Sequence, residues 1–278
     1  MILTGKGKIA GVIGWPVSHS RSPALHRYWI DRYGVDGAYV PLAVAPGRLP
    51  TALQGLAALG FRGANVTVPY KEGVVQQCKR LTERAAAIGA VNTLVVEKDG
   101  LVGDNTDGFG FMASLEEGVP DWQVAGKHCL VLGAGGAARA VAWSLIQAGA
   151  GDVVITNRSP GRAEALAGDL KALTCAWTDR AVVLADMDLV VNTTTLGMQG
   201  QPPLELDLGV LPKSAVVTDL VYAPLETPLL AAARARGNRV VDGLGMLLHQ
   251  ARPGFAAWYE VEAEVDAGLR EAVLSVSD

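Results

Sequence analysis

The stretch that decides the fold is HCLVLGAGGAARAVAWSLIQAGAGDVVITNRS, residues 128–159. It starts with a short apolar run, passes through a glycine-rich turn into helix-forming residues, and ends with a second apolar run. This order of strand, tight turn, helix and strand is the unit from which parallel sheets are built. We therefore predict strands over residues 128–132 and 152–156 and a helix over 136–148.

The glycine-rich turn has the spacing of a dinucleotide-binding fingerprint. Gly133 allows a tight turn, Gly135 allows a pyrophosphate to approach the backbone, and Ala138 lets helix and strand pack closely. The start of the helix would offer free N–H groups and the positive end of the helix dipole to the phosphates. A tight turn alone could explain the glycines, but the position between a strand and a helix favours nucleotide binding. The residues predicted here to bind the cofactor are Gly133, Ala134, Gly135, Gly136 and Ala137.

The residues after the second strand select the type of dinucleotide. An Asp or Glu at this point would hold the ribose 2′-hydroxyl of NAD. This chain has Asn157, Arg158 and Ser159 there, and Arg162 follows. Guanidinium groups bind a 2′-phosphate through forked hydrogen bonds, so NADP is favoured over NAD. The alternative is that both arginines are ordinary solvated residues at the start of a helix.

The amino-acid composition argues against several classes of protein. Of the 278 residues, 50% are hydrophobic and 19% are charged, which argues against disorder. The net charge of −4 and the lack of a long basic stretch argue against nucleic-acid binding. The most apolar region contains Arg139 and Asp152, and the amino terminus lacks a secretory core, so we expect neither a membrane span nor export. The 3 widely separated cysteines indicate the reducing cytoplasm, and the unpaired spacing of the 4 histidines gives no reason to expect a metal site.

The chain as a whole alternates between short apolar runs and helix-like stretches. This alternation predicts the α/β fold class with largely parallel sheets. Residues 8–14 form the first predicted strand, and Ser22 and Pro23 open the first predicted helix with Ser22 as its N-cap. Glycine-rich crossings near Asp107 and Gly243 suggest that the chain leaves one domain and later returns to it.

Polar clusters interrupt the first part of the chain where apolar residues would otherwise be expected. They are SHSRSP (18–23), NVTVPYK (65–71), GAVNT (89–93) and GDNTDG (103–108). Ligands of parallel α/β proteins collect at the carboxyl ends of strands and in interdomain clefts. Hydroxyls, amides, an ammonium and a carboxylate suit a small polyhydroxylated acid as the substrate.

The ordered set of motifs resembles that of the shikimate dehydrogenases. The matching segments are GWPVSHSRSP (14–23), ANVTVPYK (64–71), GAVNT (89–93), GDNTDG (103–108), GAGGAARA (133–140), NRSPGR (157–162), DLVYAPLETP (219–228) and GLGMLLHQA (243–251). The resemblance implies NADP-dependent interconversion of 3-dehydroshikimate and shikimate in aromatic amino-acid biosynthesis. It also implies two α/β domains with a cleft between them: a discontinuous substrate domain (1–107 plus 243–278) and a Rossmann domain for NADP (108–242).

The resemblance further implies roles for individual residues. Ser20 and Ser22 match hydroxyls that bind the substrate carboxylate, and Tyr222 matches a tyrosine near that carboxylate. The residues matching those that hydrogen-bond the ring hydroxyls are Thr67, Asn92, Asp107 and Gln250. Leu220 and Gly243 match backbone positions beside the nicotinamide. Lys71 matches the catalytic lysine.

Lys71 and Asp107 form the predicted catalytic pair. An ammonium on Lys71 could polarise a ketone and donate a proton during reduction, and the amine could take the proton back during oxidation. Asp107 is expected to orient Lys71 and the substrate hydroxyl. The alternatives are a solvated lysine at a helix start and an aspartate that serves as an N-cap.

Two other functions remain open on the sequence alone. One is the same chemistry on quinate with NAD, and the other is a module that senses NADPH without catalysis. The expected partner is a small-molecule substrate, with no nucleic acid, membrane or metal, and the expected assembly is a monomer or a homodimer.

Overall fold

The computed structural model describes residues 2–276, and contacts divide the chain into two compact units. The first unit combines the chain up to Thr106 with the chain from Leu248 onward, and the second unit is Asp107–Leu247. This division assigns Asp107 and Gly243 to the second unit, whereas the predicted limits assign both to the first. The substrate and cofactor roles of the units remain predictions at this point.

The first unit is built on a six-stranded mixed sheet in the order β2-β1-β3-β5-β6-β4. Its strands are β1 (Lys8–Gly14), β2 (Gly37–Ala43), β3 (Gly63–Val66), β4 (Arg80–Leu81), β5 (Thr93–Glu97) and β6 (Gly100–Asp104). Strand β1 runs parallel to β2 and β3, and β5 and β6 form an antiparallel hairpin. The sequence pattern does not predict β4, because two residues are too few to show an alternation.

Three helices precede the crossing into the second unit: α1 (Ser22–Arg32), α2 (Leu49–Ala58) and α3 (Glu83–Ile88). Helix α2 buries Leu49, Leu53 and Leu56, whose spacing puts them on one helical face. The Thr82 hydroxyl caps α3 by accepting a hydrogen bond from the Ala85 N–H at 3.3 Å. These helices therefore follow from local sequence signals.

The start of α1 differs from the prediction that Ser22 is its N-cap. Ser22 is the first helical residue, and Arg21 occupies the N-cap position without a side-chain capping bond. The Ser22 N–H instead donates to Ser20 Oγ at 3.4 Å, and the Ser22 hydroxyl hydrogen-bonds to Tyr39. The N-cap assignment was wrong because Ser22 lies inside the helix, where its hydroxyl has the Tyr39 phenol as a partner.

The second unit contains a fully parallel sheet in the order β12-β11-β10-β7-β8-β9. Its strands are β7 (His128–Leu132), β8 (Asp152–Thr156), β9 (Leu173–Thr174), β10 (Leu189–Asn192), β11 (Val216–Asp219) and β12 (Arg239–Val241). The chain proceeds from β7 to β8 and β9 on one side and then crosses to β10 on the other. This order is that of a doubly wound Rossmann sheet, with its switch point between β7 and β10.

Six further α-helices follow among the described residues. They are α4 (Asp107–Gly118), α5 (Gly136–Gln147), α6 (Pro160–Leu170), α7 (Pro228–Ala235), α8 (Gly243–Tyr259) and α9 (Ala267–Leu274). The last of them, α9, belongs to the first unit and packs against α1. Helix α8 starts in the second unit and continues into the first. Within residues 2–276, every helix is too short or too polar to cross a bilayer.

The parallel sheet is buried on both faces, as its nearly continuous apolar strands predict. Along β7, Cys129 and Val131 pack into one hydrophobic cluster, while Leu130 and Leu132 pack into the cluster on the opposite face. Burying each such aliphatic side chain stabilises the fold by about 1.5–3 kcal/mol. The resulting rigid sheet fixes the loops at its carboxyl edge. The structure thus confirms the α/β fold class with two sheets.

Candidate active site

The glycine-rich turn between β7 and α5 requires glycine at its first position. Gly133 has φ +119°, and its N–H donates to the Thr156 carbonyl at 2.8 Å. A Cβ added to Gly133 would lie 2.4 Å from Oγ1 of Thr193, the first residue after β10. Both the backbone angle and the close neighbour therefore exclude a side chain here.

The next two glycines have a different explanation. Gly135 is extended (φ −96°, ψ −172°), a conformation that any residue adopts. Apart from the adjacent residues and the backbone of α5 itself, a Cβ at Gly135 or Gly136 would have no described atom within 4 Å. Among residues 2–276 no side chain caps the start of α5, so the N–H groups of its first turn face this open space. The protein itself does not need glycine at these positions, whereas a pyrophosphate on the backbone would.

Two arginines lie beyond the carboxyl end of β8, the strand next to β7. Asn157 Nδ2 donates to the Ser159 carbonyl at 3.1 Å, which shapes the turn before α6. Arg158 and Arg162 are both exposed on this turn and on the first turn of α6. The residues present therefore fit a dinucleotide whose ribose carries a 2′-phosphate.

The loops after β10 and β11 are tied together by a buried polar network. Asp219 Oδ1 accepts hydrogen bonds from Asn192 Nδ2 at 2.9 Å and from the Val221 N–H at 3.0 Å. Asp219 Oδ2 accepts from the Thr227 hydroxyl at 2.7 Å. Burial raises the pKa of the Asp219 carboxyl above its ordinary value, against the opposing effect of these hydrogen bonds.

Leu220 and Gly243, two predicted cofactor positions, are close neighbours in the second unit. The Leu220 N–H donates to the Asn192 carbonyl at 2.9 Å. A Cβ on Gly243 would lie 2.4 Å from the Leu220 carbonyl oxygen, so only glycine fits at the start of α8. The backbone of Leu220 is thus held from two sides.

The turn that carries Lys71 in the first unit is fixed by the strands around it. The Thr67 N–H donates to the Ile13 carbonyl at 2.9 Å, which joins the carboxyl ends of β1 and β3. The Lys71 carbonyl accepts a hydrogen bond from the Val91 N–H at 2.8 Å. Lys71 is half-buried, and this bond brings its backbone next to the residue preceding Asn92.

Asn92 is held in one amide orientation by its neighbours. Its Oδ1 accepts from the Thr106 N–H at 2.8 Å, the Thr106 hydroxyl at 3.1 Å and the Thr93 hydroxyl at 2.9 Å. Its Nδ2 donates to Gln250 Oε1 at 3.4 Å. Because the oxygen is occupied by these donors, Asn92 acts on its surroundings as a hydrogen-bond donor.

Two residues outside the predicted site support this arrangement. The Tyr39 hydroxyl donates to Asn65 Oδ1 at 2.6 Å. Asn65 Nδ2 donates to the Asn92 carbonyl and to Thr93 Oγ1, both at 3.2 Å. Burial raises the pKa of Tyr39 well above its ordinary value, so the phenol stays a donor. The available signal was a polar residue inside a short buried strand, which Asn65 provides within β3.

Comparisons with known proteins show the family to which the chain belongs. Residues 12–94 match the family model described as the shikimate dehydrogenase substrate binding domain, and residues 116–197 match the one described as shikimate / quinate 5-dehydrogenase. A Rhodospirillum rubrum protein named shikimate dehydrogenase (NADP(+)) is 59% identical over 98% of this chain and 99% of its own length. The chain belongs to the shikimate dehydrogenase family.

Solved structures of family members share the whole fold. Shikimate 5-dehydrogenase from Thermus thermophilus, in complex with NADP(H) and shikimate, matches with a TM-score of 0.87 at 35% identity, covering 96% of this chain and 98% of its own. Quinate dehydrogenase from Corynebacterium glutamicum, in complex with NAD, matches with a TM-score of 0.90 at 35% identity, covering 97% and 99%. Family membership and fold class are therefore confirmed.

The predicted site residues are distributed over both units of this family fold. The first unit holds Ser20, Ser22, Thr67, Lys71, Asn92 and Gln250, and among these Asn92 and Gln250 are in direct contact. The second unit holds Tyr222, the predicted cofactor residues and Asp107, which is the buried first residue of α4. The pairing of Lys71 with Asp107 stays a prediction.

Proposed function

We propose that the protein catalyses the reversible NADPH-dependent reduction of 3-dehydroshikimate to shikimate, a step of chorismate and aromatic amino-acid biosynthesis. The observation that carries this proposal is the 59% identity to an NADP-dependent shikimate dehydrogenase along nearly the whole chain. The open turn at Gly135 and Gly136 and the exposed Arg158 and Arg162 give the proposal its physical basis.

The substrate would be held mainly by neutral hydrogen-bonding groups. Ser20 and Ser22 are assigned to the carboxylate, with Tyr222 nearby. The residues assigned to the ring hydroxyls are Thr67, Asn92, Asp107 and Gln250. The fixed amide of Asn92 supports its role, because a donor with a single orientation selects an oxygen lone pair at one position of the ring.

The proposed proton donor is Lys71, and the cofactor supplies the hydride when it is bound. In the direction of reduction, the Lys71 ammonium polarises the ketone oxygen and then transfers a proton to it, which gives the hydroxyl. In the direction of oxidation, the neutral amine accepts the hydroxyl proton. Asp107 orients the lysine and the same hydroxyl.

Three parts of the second unit would hold the cofactor. They are the turn Gly133, Ala134, Gly135, Gly136 and Ala137, the residues Asn157, Arg158, Ser159 and Arg162, and the backbone at Leu220 and Gly243.

We expect Arg158→Ala to raise the KM for NADP about 10- to 100-fold, because a charged hydrogen bond to the 2′-phosphate is lost. The KM for NAD should stay unchanged. Arg239→Ala, an exposed arginine on β12, is the matched control. Equal effects of Arg158→Ala on both cofactors would contradict this assignment.

The assay that tests the function mixes the protein with shikimate and NADP and follows nicotinamide absorbance. We expect reduction of NADP by shikimate to be faster than reduction of NAD by quinate. Quinate is the second candidate substrate because a quinate dehydrogenase shares 35% identity and the same fold. Reduction of NAD by quinate, without reduction of NADP by shikimate, would identify the protein as a quinate dehydrogenase. Tight cofactor binding without turnover of either acid would indicate a sensing module.

Location, assembly and domain roles complete the proposal. Each of the three cysteines is a free thiol, which supports the cytoplasm as the compartment. We propose a monomer or a homodimer, which sedimentation analysis of the purified protein distinguishes. The first unit would be the substrate domain and the second unit the NADP domain, with limits that differ from the predicted ones (1–107 plus 243–278, and 108–242) only at the two crossings.

A further inference from the structure

A buried carboxylate in the second unit has no role in the proposed chemistry. Asp219 is fully buried at the carboxyl end of β11, in the interior of the parallel sheet. Burying a charged group is costly unless hydrogen bonds replace its lost water. Its presence at such a position calls for a reason beyond the packing of an apolar sheet, where a valine or leucine would be stable.

The strand order shows which half of a dinucleotide lies near this carboxylate. A doubly wound sheet binds a dinucleotide across the switch point, one mononucleotide on each side. Here the switch point separates β7 from β10, and Arg158 follows β8 on the adenosine side. The nicotinamide side is therefore the edge formed by the carboxyl ends of β10 and β11, where Asn192 and Asp219 stand side by side.

The Asp219 carboxylate controls both loops at this edge. Through Oδ1 it holds the Val221 N–H in the loop after β11 and the amide of Asn192. Asn192 in turn accepts from the Thr194 N–H at 3.0 Å and hydroxyl at 2.7 Å, and donates to the Leu196 carbonyl at 3.0 Å. The loop after β10 and the loop after β11 are thus tied to one side chain.

The same network reaches the glycine-rich turn and the Leu220 carbonyl. Thr193 begins the loop that Asn192 holds, and its hydroxyl lies 2.4 Å from the position that a Cβ of Gly133 would take. The Leu220 N–H donates to the Asn192 carbonyl, and the Leu220 carbonyl oxygen lies against Gly243. A displacement of the Asp219 carboxylate would therefore also displace the backbone at Leu220 and in the loop after β10, on the nicotinamide side of the sheet edge.

We propose that Asp219 is a positioning residue that fixes the backbone around the nicotinamide half of the dinucleotide site, with Asn192 and Thr227 as its partners. This inference rests on the proposed function, since it concerns the cofactor of that reaction. A carboxylate suits this position because the Asn192 amide and the Val221 N–H donate to one of its oxygens and the Thr227 hydroxyl donates to the other. An asparagine would either turn its NH₂ group toward two N–H donors, which cannot accept, or turn it toward Thr227 and reverse the direction of that hydrogen bond.

The main test compares Asp219→Asn with the wild-type protein. We expect kcat with shikimate and NADP to fall about 10- to 100-fold, the scale of a small misplacement of reacting groups. Affinity for adenosine 2′,5′-bisphosphate, which lacks the nicotinamide, should stay unchanged, while the affinity for NADPH measured by nicotinamide fluorescence should fall. This split separates a positioning role from a general loss of folding.

The matched control is Asp188→Asn. Asp188 precedes β10 at the opposite edge of the same sheet, where it accepts from Lys127 Nζ and from the His128 N–H, both at 3.1 Å. Removing these bonds perturbs the same strand without reaching the carboxyl edge. We expect kcat and NADPH affinity to stay at the wild-type values in this variant.

A second pair of variants covers the case in which Asp219→Asn does not fold. Thr227→Val removes the hydroxyl that donates to Asp219 Oδ2, and Thr227→Ser restores it. We expect Thr227→Val to reproduce the kcat loss in part and Thr227→Ser to recover activity. Wild-type kcat in folded Asp219→Asn or in Thr227→Val, or an equal loss of bisphosphate affinity, would overturn the inference. A wild-type protein without turnover would instead contradict the proposed function.

Discussion

Lys71 is the residue on which the proposed chemistry depends most strongly. It is half-buried on the turn after β3, and its carbonyl is anchored by the Val91 N–H beside Asn92. This backbone bond fixes the point from which the Lys71 side chain extends, next to the residue that precedes Asn92. Such fixation is what a general acid needs, because proton transfer requires hydrogen-bond contact.

Replacing Lys71 by alanine should lower kcat at least about 100-fold with little change in the KM for shikimate, because the proton donor is lost while other groups still bind the ring. Steady-state kinetics with shikimate and NADP measure both constants. Lys98→Ala is the control, since Lys98 is exposed in the turn between β5 and β6. Near-normal turnover of Lys71→Ala would remove this lysine from the mechanism.

The donor orientation of Asn92 can be tested through Thr93. Thr93→Val keeps the shape of the side chain but removes a donor to Asn92 Oδ1 and an acceptor for Asn65 Nδ2. We expect the KM for shikimate to rise about 3- to 10-fold, the worth of one neutral hydrogen bond. The KM for NADP should not change. Thr93→Ser should restore the wild-type KM, and its failure to do so would contradict the network.

His26 predicts an acid-sensitive contribution to stability. It is fully buried and stacked on Tyr39, with ring centroids 3.9 Å apart, and burial lowers its pKa from 6.5 to about 3. The folded state therefore holds a neutral His26 ring. The contribution of this ring to the free energy of unfolding is fully present above pH 6.5. It is lost as the pH falls toward 3, because the unfolded state binds a proton that the folded state does not.

Chemical unfolding at several pH values measures this loss. Between neutral pH and pH ~4 the wild-type protein should lose about 3 kcal/mol through His26. His26→Phe keeps an aromatic ring beside Tyr39 and cannot be protonated, so the free energy of unfolding should fall less over this interval. The same pH dependence in both proteins would show that His26 does not take up the proton.

At the scale of elements, sequence predicts the parts that are decided by local rules. The bounds of β7 and β8 agree with the predicted strands, because these bounds are set by apolar runs. The N-cap of α1 fails because Ser22 has a tertiary partner, the phenol of Tyr39, which no local rule reveals. The same limit hides Asp219, since its partners come from other segments of the chain.

The positive φ of Gly133 in the glycine-rich turn can be tested by substitution. Gly133→Ala should destabilise the protein by about 1–3 kcal/mol, because φ +119° is strained for alanine and its Cβ would meet Thr193. Thermal unfolding measures the change. The control is Gly168→Ala in α6, where a Cβ meets open space; that substitution should stabilise the helix by about 1 kcal/mol. A neutral Gly133→Ala substitution would contradict the strain attributed to this turn.

For the whole molecule, the order of motifs along the chain is enough to indicate the family. The fold class follows from alternating strands and helices, whereas the glycine-rich crossings suggest two domains without fixing their limits: the second unit ends at Leu247 and not before Gly243. Residues 65–71 and 89–93 are recognised as polar clusters, yet the support that Tyr39 and Asn65 give to Asn92 depends on strand pairing. Contacts by which one side chain orients another therefore cannot be predicted from the sequence alone.

The most direct test of the proposed chemistry is a crystal structure of the protein with both NADP and shikimate bound. We expect Lys71 Nζ to lie within hydrogen-bond distance of a ring hydroxyl oxygen, and the 2′-phosphate to contact Arg158 and Arg162. A lysine nitrogen far from the reacting oxygen, or a 2′-phosphate away from both guanidinium groups, would contradict it.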